Sequence, residues 1–328
     1  MPSRLGRARL GRGTLARFVL VRLAATVVLL LALSFVVFTL LYLAPGDPAR
    51  NLLGPRNPSP ELLESIRAEY HLDDPFITQY VLWLGDVVRG DLGQSIRSDT
   101  AVTSLLADRV LLTLELAMMA FVITLLVAVP MGVRAAWRSG SAFDRTASIA
   151  SIVGVGAPSY AIGLVLLYLF GVRFSVFPVY GIGEGWIDQL WHLTLPAITL
   201  AIGISALVFK LTRTAVLGEL EQDYVAFARS RGLTEGAVRR IVLRNALIPV
   251  ITSSGLVFAF LFGGTILVEV TFALPGIGGL LASSVTFKDI PVVQAITLLT
   301  ALVIALTALA VDILTYTIDP RVRARGLA

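Results

Sequence analysis

Six long apolar runs divide this chain: Phe18–Leu43, Val110–Val133, Ala147–Gly171, Leu193–Phe209, Pro249–Val268 and Val292–Tyr316. Each is close to the roughly 20 residues that a helix needs to cross the hydrocarbon of a bilayer. The pattern predicts an all-α polytopic membrane protein with six transmembrane helices. A cleaved signal peptide is the competing reading of the first run, but such a core spans only about 7–15 residues before a small-residue site. The run ending at Leu43 is longer and passes into Ala44-Pro45-Gly46-Asp47-Pro48, so it reads as a retained span. The third run carries Gly154, Gly156, Pro158 and Gly163. Small residues allow close helix approach and proline can kink a span, which places this helix inside the bundle.

The polar intervals have structure of their own. Residues 44–108 read as a small helical cap. Ser59-Pro60 starts a helix over Glu61–Tyr70, Asp74-Pro75 starts another with Phe76, Tyr80, Trp83, Leu84 and Val87 on one face, and Gly90 suits its C-terminal cap. Thr100–Asp108 predicts a further short helix, and the region reads as a structural lid. In 269–291, Leu274-Pro275-Gly276-Ile277-Gly278-Gly279-Leu280 is a turn leading into a short apolar helix. The chain thus divides into an N-terminus with the first span (1–43), the cap (44–108), a five-helix transmembrane domain (109–316) with a loop at about 210–245, and a tail (317–328).

Charge orients these elements. The N-terminus, the 134–147 loop, the 210–245 loop and the C-terminus are rich in arginine, and the other three intervals are balanced or acidic. Both ends inside satisfies the positive-inside rule at every loop, which predicts a multi-pass membrane protein with cytoplasmic termini. Arg22 can snorkel to the inner interface, and Asp312 lies near the inner end of the last span. Glu115 reads as an interfacial carboxylate paired with Arg109 or another loop arginine. Trp186, Trp191 and Tyr180 suit an aromatic belt.

Composition narrows the chemistry. Of 328 residues 56% are hydrophobic and 15% charged, against about 25% charged in soluble chains. The net charge of +5 sits beside apolar runs and is a topology signal, not a nucleic-acid footprint. Cysteine is absent, which excludes disulfides and thiolate sites, and two histidines make a histidine metal cluster implausible. There is no G-x-x-x-x-G-K-[ST] loop for ATP, no H-E-x-x-H, no intramembrane Asp/Asp or Ser/His set and no ionisable residue at a span centre. The expectation is a chain with no catalytic residue and no bound metal, whose energy comes from elsewhere.

The most distinctive polar stretch is Asp223–Pro249. Arg229, Arg231, Arg239, Arg240 and Arg244 stand there against Asp223 and Glu235. It reads as two short helices meeting at a bend near Gly232. Ala226, Phe227 and Ala228 form a small-residue patch on the first, and Leu233, Ala237, Val238, Ile241 and Val242 form an apolar stripe on the second. Such helices dock in a partner's groove or lie on anionic headgroups, and both readings fit these residues.

Several motifs together resemble a known family, the first permease of bacterial ABC importers of the dipeptide/oligopeptide/nickel class. Pro45-Gly46-Asp47-Pro48 resembles its PGDP element. His71-Leu72-Asp73-Asp74-Pro75, Gln79-Tyr80 and Gly90-Asp91-Leu92-Gly93 resemble its outer-domain pattern, and Thr113-Leu114-Glu115-Leu116 resembles the opening of its transmembrane domain. Glu269, Phe272, Pro275, Gly276 and Gly278 resemble its outer loop, and Asp319-Pro320-Arg321 its C-terminal DPR. The central stretch resembles the E-A-A-x-x-x-G signature with Ala228 and Gly232 in place, but the glutamate is missing and Asn245-Ala246-Leu247-Ile248-Pro249 replaces I-x-L-P.

The resemblance implies the fold of a type I importer permease. It implies that Tyr224, Ala228, Arg231, Gly232, Leu233, Glu235 and Ala237 couple to two cytosolic ABC ATPase subunits, which would carry ATP and Mg, with no cofactor on this chain. It also implies a second homologous permease, an extracytoplasmic substrate-binding protein touching Glu269, Phe272, Pro275, Gly276 and Gly278, and peptides or a similar small solute as cargo. The pathway would be lined by small and polar faces bearing Gly154, Ser159, Ser205 and Ser253. An ATP-independent channel or secondary carrier is the alternative from another class.

Overall fold

The computed structural model describes residues 12–43, 47, 49, 50, 59–69 and 71–318. The PGDP element (apart from Asp47), Tyr70 and the C-terminal DPR lie outside these residues or at their edge. Eleven helices follow one another among the described residues. They are α1 (Arg12–Leu43), α2 (Pro60–Glu69), α3 (Phe76–Arg89), α4 (Val102–Trp137), α5 (Ala142–Gly156), α6 (Ser159–Leu166, running on as a π-wound segment Leu167–Arg173), α7 (Trp186–Leu220), α8 (Asp223–Ser230), α9 (Glu235–Thr271), α10 (Ile277–Thr286) and α11 (Ile290–Ile318). There is no strand among them, and Gln94 and Ala101 form an isolated bridge.

Five helices (α1, α4, α7, α9 and α11) are long and apolar enough to cross a membrane, and there are six if the bent pair α5–α6 is counted as one broken span. A helix satisfies its own backbone groups, which hydrocarbon demands. The third span differs from the single kinked helix expected. Its halves meet at 106°. Ala157, extended at φ −85° and ψ 126°, ends α5, and Pro158 caps α6. The residue before proline is pushed out of helical geometry, so two breakers in a row end one helix and start another.

Other boundaries shift because the helices outrun the bilayer. The 36 residues of α4 reach about 54 Å at 1.5 Å per residue, against a hydrocarbon core of about 30 Å. Thr100–Asp108 is therefore no separate helix, since α4 begins at Val102. Likewise the second short helix expected after Gly232 is the start of α9, whose 37 residues continue through the fifth span. Most of the 210–245 loop is helical, and only residues 221–234 lie between α7 and α9.

α4, α7 and α9 form the core, with Leu116, Leu193, Val208 and Leu261 all but inaccessible. α4 and α7 approach closely at Gly132, where an added Cβ would sit 2.8 Å from Thr212 Cβ and 2.9 Å from the Phe209 carbonyl oxygen. α1 packs along α11. Phe18 stacks on Tyr316 at 4.5 Å, Arg22 Nε lies 3.2 Å from Asp312 Oδ2, and the buried Gln294 donates to the Val37 carbonyl at 3.2 Å.

The cap is tied to the spans by polar side chains. Gln79 donates to the carbonyls of Leu72 (3.1 Å) and Asp74 (2.7 Å) and accepts from Tyr42 of α1. Gly90, at φ +88°, closes α3 as expected. The buried carboxylate of Asp289 accepts from Ser95 Oγ at 2.6 Å and from the Ile96 N–H at 3.1 Å, pinning the 94–97 turn to the start of α11. Arg67, 2.8 Å away, holds the Asp47 carboxyl below its ordinary range.

Candidate functional site

The arginine-rich end presents α8 as a short arm between α7 and α9. The turn after it is fixed by backbone geometry. Gly232 has φ +78°, its N–H donates to the Arg229 carbonyl at 2.9 Å, and the Leu233 N–H donates to the Ala228 carbonyl at 3.2 Å. This is the glycine-terminated helix end that a Cβ disfavours. Two residues later Thr234 caps α9, its hydroxyl accepting from the Ala237 N–H at 3.4 Å. Helix stop and helix start are thus packed into four residues, Arg231–Thr234.

The arm is wedged against the long helices from below. Val225 is buried against Val216 of α7, Ala136 of α4, and Val238, Val242 and Ala246 of α9. Tyr224 Oη donates to Glu219 Oε2 at 2.5 Å and accepts from Asn245 Nδ2 at 3.3 Å. Behind it, Arg213 of α7 grips Asp144 of α5 with two bonds, Nε to Oδ1 at 2.6 Å and a terminal nitrogen to Oδ2 at 2.8 Å. Asp144 is 3% exposed and also accepts from the Gly140 N–H at 2.9 Å. The fork geometry fixes the angle between the two helices as well as holding them together.

What remains exposed is a compact apolar and basic face. Phe227 is 59% exposed, Leu233 39% and Ile241 38%. The Arg231 guanidinium lies 4.9 Å from the Phe227 ring, and Arg229 Nε pairs with Glu235 Oε1 at 3.1 Å. Of the expected coupling residues, Arg231, Gly232, Leu233 and Glu235 reach the surface. Tyr224, Ala228 and Ala237 are half-buried and hold the arm in shape. Phe227, assigned from sequence only to a small-residue patch, is the most exposed apolar side chain here. Asp144 and Arg213 were not expected to meet. The only signal was an arginine within the apolar approach to α8.

The pathway candidates separate. Gly154 of α5 and Ser205 of α7 line one apolar groove of about 530 Å³ with Met131 and Phe209, whereas Ser159 and Ser253 are not on it. Ser253 Oγ donates back to the Pro249 carbonyl at 2.9 Å.

At the opposite end, Glu269, Phe272, Gly276 and Gly278 are buried, and of the five expected contact residues Pro275 alone is exposed. A protein touching this loop would meet Pro275, not the carboxylate. Glu269 is 1% exposed and accepts from Thr113 Oγ1 (2.6 Å) and from the N–H groups of Gly278 (2.7 Å) and Gly279 (3.1 Å). Thr113 Oγ1 in turn accepts from the Ile277 N–H at 3.0 Å. The first turn of α10 is therefore capped by α9 and α4 together. Glu115 departs from its expected arginine partner and accepts from Gln189 Nε2 of α7 at 2.6 Å.

Comparison with known proteins agrees with this architecture. Residues 128–324 match the family described as binding-protein-dependent transport system inner membrane component, and residues 15–117 match the N-terminal model of the same membrane components. A probable peptide ABC transporter permease of Sinorhizobium fredii is 35% identical over 310 residues, covering 93% of this chain and 99% of its own. An oligopeptide transport system permease of Bacillus subtilis is 34% identical over 314 residues, covering 94% and 99%. A glutathione transport system permease of Salmonella choleraesuis is 36% identical over 308 residues, covering 93% and 98%. The two family models and relatives covering at least 93% of the chain show that it belongs to the family of binding-protein-dependent inner-membrane transport components and is a multi-pass permease subunit.

Proposed function

We propose that this permease forms half of an ATP-driven import pathway for peptides or a closely similar solute, and that α8 with the turn at Gly232 docks on a separate cytosolic ATPase. The observation that carries the reading is the exposed Phe227–Arg231–Leu233 face on an arm wedged rigidly between α7 and α9. An exposed apolar patch with a basic rim suits a protein groove, and headgroups alone would need no such fixed turn. Because the arm continues directly into α9, displacement of the arm moves a membrane-spanning helix. The arginine-rich loops support a cytoplasmic face for this end. A second homologous permease would complete the pore, and an extracytoplasmic binding protein would deliver cargo. The names of the relatives support peptide cargo.

The test is co-purification from native membranes. Phe227→Asp leaves the buried wedge untouched, and Gly232→Pro removes both the positive φ and the N–H donor. Both variants are expected to insert normally and to lose a P-loop ATPase that the parent chain retains. Retention of the ATPase by Phe227→Asp at the parent level would remove the docking role.

A further inference from the structure

The groove of about 530 Å³ between α4, α5 and α7 serves none of the roles proposed above. Its walls follow from helical spacing. On α4, Ile123, Val127 and Met131 stand four residues apart on one face, and Arg134 continues that row at the next turn. On α7, Ile202 and Ala206 form a second row, which Lys210 continues. On α5, Ala147 and Gly154 face the same space, and Phe143 stands one turn before Ala147. The Arg134 guanidinium lies 4.8 Å from the Phe143 ring, which holds it across the end of the groove between α4 and α5.

The groove therefore has an apolar length and a basic end. Arg134 and Lys210 are exposed, and neither forms an ion pair among the described residues. Asp144, the residue after Phe143, is already taken by Arg213 and the Gly140 N–H. From Ile123 to Arg134 the α4 wall rises about 16 Å at 1.5 Å per residue, close to half of a hydrocarbon core of about 30 Å. That is the depth of one leaflet, and the basic end sits where its headgroups lie. No charged side chain lines the groove, and its polar side chains are Ser151 and Ser205, the first already donating to the Ser148 carbonyl at 2.7 Å. A peptide would bring amide groups with no partners there. A neighbouring span would match the walls alone, whereas an anionic lipid matches the walls and the end together.

We infer that this groove binds one anionic glycerophospholipid, an acyl chain lying along α4, α5 and α7 and the phosphate held by Arg134 and Lys210. The planar guanidinium suits phosphate oxygens, and the ammonium adds a second positive charge. Only the assignment to the cytoplasmic leaflet rests on the orientation proposed above; the site itself does not.

The experiment uses the full-length permease with its co-purifying partners, in nanodiscs of mixed phosphatidylglycerol and phosphatidylcholine. Native mass spectrometry counts the lipids retained on release. Phosphatidylglycerol carrying a diazirine on its acyl chain is photo-crosslinked, and the modified residues are mapped. Arg134→Gln/Lys210→Gln removes the charge at the end. Gly154→Leu fills the groove from a position where an added Cβ meets Ala206 Cβ at an ordinary 3.5 Å. The thermal midpoint of each variant checks its fold. Each cation beside an anionic headgroup adds about fivefold to binding, so the double variant should retain about 25-fold less phosphatidylglycerol. One phosphatidylglycerol kept per chain in preference to phosphatidylcholine, with crosslinks on residues 123–131 and 147–154 that Gly154→Leu removes, supports the site. Equal retention of the two lipids, unchanged retention in a folded double variant, or crosslinks that avoid both segments overturns it. If neither variant folds, the lipid preference and crosslink map of the parent decide. None of these readouts needs the ATPase, so loss of the docking role would leave them standing.

Discussion

Removing the carboxylate of Glu269 should loosen the end of the molecule opposite α8. Its oxygens accept from Thr113 Oγ1, Gly278 and Gly279, at 2.6, 2.7 and 3.1 Å, in a site 1% exposed. Every partner is a donor, and two are first-turn N–H groups of α10 that no carbonyl within the helix can reach. Alanine would leave those donors buried and unpaired and open a void between α9 and α10. A hydrogen bond to a charged acceptor contributes about 1.5–3 kcal/mol, and each orphaned buried donor costs about 1–3 kcal/mol. Counting each contact once, we expect Glu269→Ala to cost about 4 kcal/mol. Glutamine keeps an accepting oxygen but loses the charge, and since neutral bonds are about half as strong it should cost about 1–2 kcal/mol. At roughly 2 °C per kcal/mol for a chain of this size, the midpoints should fall by about 8 °C and about 3 °C. The assay is thermal unfolding of detergent-purified protein, paired with proteolysis at the exposed Ala273 turn. A Glu269→Ala midpoint within about 2 °C of the parent, with unchanged cleavage, would refute the capping argument. Space alone also predicts trouble at Gly276, where an added Cβ would lie 2.3 Å from Glu269 Cδ.

Three further outcomes follow from the geometry. Gly132→Ala drives a Cβ to 2.8 Å from Thr212 Cβ and 2.9 Å from a backbone oxygen, so it should cost about 1–3 kcal/mol and lower the thermal midpoint. Asp144→Ala leaves the Arg213 fork unpaired. Because Arg213 is 27% exposed, the loss should be about 2 kcal/mol, below the roughly 3–5 kcal/mol of a fully buried pair, and it should appear as faster hydrogen exchange in α5 with the cap unaffected. Gly232→Ala meets open space but keeps a φ of +78°, so only the left-handed strain of about 1–2 kcal/mol should register, measured as a small midpoint shift with normal membrane insertion.

Much of the fold was legible because crossing a bilayer is a local requirement. Apolar length decides whether a run spans, so the positions of the spans, the helix ended by Gly90 and the bend at Gly232 could all be read from neighbouring residues. Where each helix stopped was harder to read, because polarity marks the edge of the lipid and not the end of the backbone ladder. That is why Thr100–Asp108 and the residues after Gly232 were read as short helices yet belong to α4 and α9. The third span shows the same limit, since Ala157 and Pro158 allow a kink or a complete break and only the packing of α6 against α7 and α9, close at Gly163, settles on 106°.

The candidate sites divide along the same line. The sequence by itself determined that this is a multi-span helical membrane protein with a basic arm bent at a glycine, because composition, periodicity and charge bias act within tens of residues; that it is a permease rested on its motifs resembling a family. Only the tertiary structure decided that Glu269 and the Gly276–Gly278 turn face inward, that Asp144 grips Arg213 and Asp312 meets Arg22, and that Gly154 and Ser205 share a groove that Ser159 and Ser253 do not. Those pairings join residues far apart in the chain. Their partners are chosen by how the helices pack, and a linear pattern carries no record of which face of one helix meets which face of another.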